Sequence, residues 1–183
     1  EELIDRTLAI VGGVVITQSD ARLAERLRLL DGGPTASSDT TARLIERWLM
    51  LHEVERFVPG EPDGADVVRR LAEIATGAGG QTALIESLAR DGRTLEDLEA
   101  GVRDDLRIAA YLEQRFASAG LAAESDVTAW LAANAAELEQ RGLSGADAVR
   151  VARARLQQAR RADLIADWVT DLRRRVEVQT FPR

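Results

Sequence analysis

The chain of 183 residues contains no cysteine, one histidine, one methionine, four prolines and only 4 % aromatic residues, and all 24 of its basic residues are arginine. Without cysteine there is no disulfide, no thiolate nucleophile and no Cys-based metal site. The single histidine, His52, has no second histidine to complete a metal site, and Arg56 holds its i+4 position. No run of eighteen apolar residues occurs, so no segment reads as a membrane-spanning helix. The strings G-x-S-x-G and H-E-x-x-H are missing. Gly77-Ala78-Gly79-Gly80 lacks the GK[ST] ending of a phosphate loop and follows no predicted strand. These absences predict a non-enzymatic protein without metal or cofactor. The lack of lysine, beside abundant Ala, Arg and Gly, reads as the codon bias of a GC-rich genome.

What is present is aliphatic and acidic. The chain is 45 % hydrophobic, with a net charge of −7 and a pI near 4.9. That balance argues against nucleic acid or an anionic membrane surface as partners, and against a helical DNA-binding regulator. The charge is uneven: residues 1–140 carry 14 Arg against 26 Asp+Glu, and residues 141–183 carry 10 Arg against 5. A basic last helix folded back on an acidic body is the expectation.

The first twenty residues organise the rest. Arg6 to Val11 and Val14 to Thr17 are aliphatic, β-branched runs, and Gly12-Gly13 suits the positive φ angles of a two-residue hairpin turn. The implied register sets Val11 against Val14, Ile10 against Val15, Ala9 against Ile16 and Leu8 against Thr17. Both faces of such a ribbon are apolar, so it needs a third strand and helices packed on it. Thr17 then opens a helix as N-cap, with Asp20 as the reciprocal partner of a capping box.

Helical spacing follows from about Gln18 to Asp31, stopped by Gly32-Gly33-Pro34 and a polar linker, Thr35 to Asp39. Ser38 or Asp39 caps a second helix that runs to Pro59. Its apolar residues, from Leu44 through Trp48 to Val58, cover well over half its circumference, so it reads as the central helix. Helices over 65–76, 81–91 and 95–116 come next, the last opened by Thr94-Leu95-Glu96-Asp97. After a linker over 118–124, Ser125 or Asp126 caps a helix to Arg141. A final helix over 146–175 ends in three arginines, and Val176 to Thr180 alternates like a short strand. That strand is predicted to pair with the hairpin and close the two ends of the chain together.

Leu3-Ile4-Asp5-Arg6, the aliphatic strand, the tight turn, Val14-Val15-Ile16-Thr17 and the helix opening at Gln18-Ser19-Asp20 resemble the start of the SurA-type periplasmic chaperones. The later Gly92-Arg93-Thr94-Leu95-Glu96-Asp97-Leu98 and its long helix are similar to that family's N-terminal domain. Two details depart from the pattern: the family's turn is usually based on Asn or Asp, and its N3 residue is usually Glu. The parvulin-type isomerase domain that follows in the family is missing here. The resemblance implies a mainly α fold with a small antiparallel sheet, one domain over 1–183. Residues 1–141 would form the hairpin and helical body, and 142–183 a closing helix and strand that a homodimer could exchange. It also implies a periplasmic protein, with a signal peptide removed ahead of Glu1, that holds unfolded secreted or outer-membrane polypeptides without ATP. The alternative is an assembly or scaffold protein that uses the fold to bind one folded partner or its own copy.

Trp48, Trp130 and Trp168 read first as core anchors. The functional alternative is a client-binding groove lined by Leu49, Met50, Phe57, Trp130 and Trp168.

Overall fold

The computed structural model describes residues 5–31, 33–34, 37–57, 60–117 and 122–181. Leu3 and Ile4, Gly32, Thr35, Val58, Pro59 and the linker residues 118–121 lie outside the described residues. In chain order the elements are β1 (Thr7–Val11), β2 (Val14–Thr17), α1 (Gln18–Arg26), α2 (Thr40–Glu55), α3 (Gly64–Gly77), α4 (Gln81–Ala89), α5 (Leu95–Phe116), α6 (Glu124–Ala133), α7 (Ala135–Gln140), α8 (Gly145–Arg175) and β3 (Val178–Thr180). The fold is mainly α with a small three-stranded antiparallel sheet, as its sequence predicts.

Gly12 and Gly13 take φ of 54° and 85°, the left-handed pair that a type I′ hairpin requires. The register matches expectation at Val11↔Val14, Ile10↔Val15 and Ala9↔Ile16. It slips beyond Ala9, where Thr17 pairs with Thr7 and leaves Leu8 as the extra residue of a bulge. Leu8 and Ala9 are consequently both buried although adjacent in sequence.

The third strand arrives from the far end of the chain. β3 runs antiparallel to β1, with Val11↔Val178, Ile10↔Gln179 and Ala9↔Thr180, giving the order β2-β1-β3. Gly12 N–H donates to Glu177 O at 3.1 Å and Phe181 N–H to Leu8 O at 2.9 Å, extending the tie at both ends. Val176 belongs to the α8 C-cap, so the strand is shorter than its alternation suggests.

Helices cover one face of this sheet. Ala9, Val11 and Ile16 pack with Ile45, Leu49, Met50 and Val54 of α2, Ile108 and Leu112 of α5, and Ile165, Trp168, Val169 and Leu172 of α8. Each such aliphatic side chain, fully buried, contributes about 1.5–3 kcal/mol. Helix α2 touches β1, α1, α5 and α8, which accounts for its broad apolar surface. A second cluster joins Leu23 of α1 and Leu27 at its C-cap to α3, α4 and the first half of α5. The 22 residues of α5 therefore carry both clusters.

Three local departures have physical causes. Helix α1 stops at Arg26, short of Asp31, because Arg28 takes φ 52°. Leu29 N–H then reaches back to Ala24 O at 2.9 Å and Arg28 N–H to Glu25 O at 3.2 Å, a Schellman ending built without glycine. The expected helix from Ser125 to Arg141 breaks at Asn134, whose backbone N–H and side-chain Nδ2 both donate to Trp130 O. Its N-cap is Ala123, not Ser125 or Asp126, and Asp126 instead meets Arg160 of α8.

The 31 residues of α8 span about 45 Å. Its second half is in the first cluster; its first half lies along α6, with Ala148, Ala152, Val127 and Leu138 buried. Arg153 pairs with Glu124 at 2.6 Å, Arg160 with Asp126, and Arg161 with Glu113 at 2.7 Å. The basic helix does meet the acidic body. Exposed pairs of this kind are worth up to about 1 kcal/mol each, so they set register more than stability.

Candidate functional site

The two hydrophobic clusters share α5 but do not close on each other. Between them a hollow of about 690 Å³ is walled by Leu29, Leu30 and Pro34 from the α1–α2 connection, Met50 of α2, Val102, Leu106, Ile108 and Leu112 of α5, and Ile165 of α8. A second hollow, about 340 Å³, adjoins it and runs past β2, Leu23, Leu44 and Trp48. The two share Leu29, Leu30, Arg47, Arg70, Val102 and Asp105 as wall. A third hollow, about 1060 Å³, at Phe57, Tyr111 and Arg115 meets the first along Leu106, Ala109 and Glu113. The first two make a cleft lined largely by aliphatic side chains, whereas the third is lined mostly by polar and charged ones.

Leu29 and Leu30 reach this wall because of the glycine-free helix ending. A continued α1 would have carried them around its axis, whereas the left-handed Arg28 turns the chain across the mouth of the cleft.

Arg47 stands at the junction of the first two hollows. Its Nε donates to Asp105 Oδ1 at 2.6 Å and its guanidinium to Gly101 O at 3.0 Å, tying α2 to α5. Burial pushes the Asp105 carboxyl above its usual range, with Asp104 adding to the rise and Arg47 opposing it. At the far rim the two capping boxes are cross-linked. Thr17 and Asp20 exchange hydrogen bonds at the start of α1, Thr94 and Asp97 do so at the start of α5, and Arg93 joins Asp20 at 2.5 Å. The first turns of α1 and α5 are thereby held side by side. Hydrogen bonds from Thr94 hold the Asp97 carboxyl below the usual range.

The five residues expected to line a groove are dispersed. Met50 lines the first hollow, although only 1 % of its surface is exposed. Leu49 is sealed against the sheet and Trp168 is inside the same core, because α2 and α8 turn those positions inward. Phe57 is 60 % exposed at the end of α2 and stands 5.6 Å from the Tyr111 ring. Tyr111 in turn lies 5.7 Å from Trp168, and the Arg115 guanidinium rests 5.6 Å over that indole. Trp130 is half-buried on α6 and lines none of the three hollows. Sequence reasoning missed Leu29, Leu30 and Leu106. Its one available signal was a pair of leucines continuing past the last helical turn of α1.

His52 is exposed and stacks on Trp48 with ring centroids 4.9 Å apart. Among the described residues, no group of His, Asp and Glu has the arrangement of a metal site, and no helix is long and apolar enough to cross a membrane. The cleft offers aliphatic surface, paired charges and main-chain groups. Compared with known proteins, the chain matches no protein-family model and no curated protein.

Proposed function

We propose that this protein is an ATP-independent holding chaperone. It binds unfolded secreted or outer-membrane polypeptides in the periplasm through the cleft between its two hydrophobic clusters, without isomerase or other enzymatic activity. The observation that carries the reading is the cleft itself: two adjoining hollows lined largely by aliphatic side chains of α2, α5, α8 and the α1–α2 connection. The closing of the chain's two ends into one sheet is consistent with the family resemblance of its sequence. Burying three or four client side chains would contribute roughly 5–10 kcal/mol gross. Ordering costs reduce that to about micromolar affinity. Weak, broad binding is what a holding function needs.

The test is aggregation of an unfolded outer-membrane β-barrel protein, followed by light scattering at stoichiometric ratios. Suppression that is lost in Leu29→Glu, which puts a charge on the shared wall, is the expected result. No suppression at any ratio removes the proposal. Saturable binding to a single folded partner, with no affinity for unfolded chains, would identify a scaffold instead.

A further inference from the structure

The smaller hollow takes Val14, Val15 and Ile16 into its wall, three successive residues of one strand. Successive side chains of a strand leave on opposite faces. A cavity that meets three in a row therefore lies along the strand's edge, where the main chain itself is reached. β2 is an edge strand of the sheet, and Val14 and Val15 are 48 % and 47 % exposed.

The direction of the β2 amides follows from their partners. Gln18 N–H donates toward β1, to Arg6 O at 2.8 Å, whereas Thr17 N–H turns to Asp20 Oδ2 at 3.0 Å. Amide direction alternates along a paired strand. Val14 and Ile16 therefore face β1, and Val15 presents both its N–H and its C=O to the hollow. The charges around the hollow are already matched: Arg93 with Asp20, Arg47 with Asp105, Arg70 with Glu73, and Asp97 with its own cap. A segment without charge complements such a rim.

We infer that β2 receives its client as an added strand: an uncharged, extended segment that exchanges main-chain hydrogen bonds with Val15 and turns alternate apolar side chains onto Leu44, Trp48 and Val102. The inference rests on the chaperone reading and adds to it the conformation in which a client is held. Strand addition takes its affinity from main-chain bonds and its selectivity from alternate side chains, so it tolerates varied sequences. With Thr17 N–H already committed to Asp20, the open edge is short, which limits pairing between copies.

The experiment uses a fluorescein-labelled, uncharged hexapeptide of alternating valine and serine, with binding read by anisotropy. Two N-methylated versions carry their methyl groups on one edge or on the other. Strand addition predicts that one methylated edge weakens binding roughly ten- to thirtyfold, the worth of two main-chain bonds, while the other leaves it unchanged. Val15→Pro should reproduce the loss. Its N–H points away from β1, so the sheet's own bonds survive, and circular dichroism checks that they do. If that variant misfolds, the methylated pair decides alone. Equal binding of all three peptides, with Leu29→Glu still weakening it, overturns strand addition and leaves the chaperone standing. Failure to bind any of them, together with no suppression of aggregation, overturns both. A concentration-dependent dimer through β2 that the peptide does not dissociate also overturns the inference.

Discussion

Alanine at Gly12 is expected to destabilise the fold by about 2–4 kcal/mol, against about 1 kcal/mol for alanine at the neighbouring Gly13. Both residues have positive φ, so both substitutions carry the cost of a left-handed side chain. They differ in what surrounds them. A Cβ at Gly12 would fall 2.4 Å from Cη2 of Trp48 and 3.0 Å from Cζ2, whereas nothing lies within 4 Å of one at Gly13. Relief requires moving either the indole or the turn. The indole is stacked on His52, with planes 12° apart, and the turn is tied to the far end of the chain through Gly12 N–H to Glu177 O. The difference between the two alanines, about 1–3 kcal/mol, is the overpacking cost. Urea unfolding followed by circular dichroism measures it, and a double-mutant cycle with Trp48→Leu isolates it. Once the ring is gone, Gly12→Ala should cost no more than Gly13→Ala. Equal penalties for the two single variants, or no coupling to Trp48, would refute this account of how the hairpin seats on α2.

Two further outcomes follow from the cleft wall and its rim. Asp105 has a folded-state pKa above its unfolded value of 3.8, so the folded protein holds this proton more readily than the unfolded chain. Its contribution to stability therefore falls as pH rises from 3.8 through the higher folded value. Asp105→Asn should be at least as stable as the parent near neutrality, and the two should converge in acid. Melting curves across that range test the sign, and an Asn variant clearly less stable at neutral pH would reverse it. Thr17→Ala should cost about 1 kcal/mol by removing the acceptor that Thr17 Oγ offers to Asp20 N–H at 3.3 Å. Thermal unfolding beside Thr94→Ala measures it, and no loss in either variant would deny the caps their role at the rim.

The features readable from sequence are those written in short local codes. Two glycines between aliphatic runs specify a hairpin, Thr-x-x-Asp specifies a capping box, and alternation over Val176 to Thr180 specifies a strand. Both boxes and the terminal pairing occur in the fold. The unreadable features are those in which a residue acts against its type. Arg28 takes the left-handed position that glycine usually holds, and Leu8 bulges from a run whose composition promises regular alternation. The candidate site lies downstream of the first of these, because Arg28 aims Leu29 and Leu30. Helical periodicity could not have separated Leu49 from Met50 either. Helix α2 is apolar over most of its circumference, and the sheet, α5 and α8 together decide which apolar position is sealed and which faces a hollow.

The cleft is a consequence of the same arrangement. A helix apolar on so many sides must find several partners, and α2 finds the sheet, α8 and the second half of α5. The first half of α5 is committed to α3 and α4 in the other cluster, so α2 and α5 cannot close along their whole length. Arg47 spans the remaining gap with hydrogen bonds to Asp105 and Gly101. A guanidinium on a flexible stem bridges such a gap without filling it. The hollows on either side of Arg47 are thus a consequence of the division of α5 between two cores.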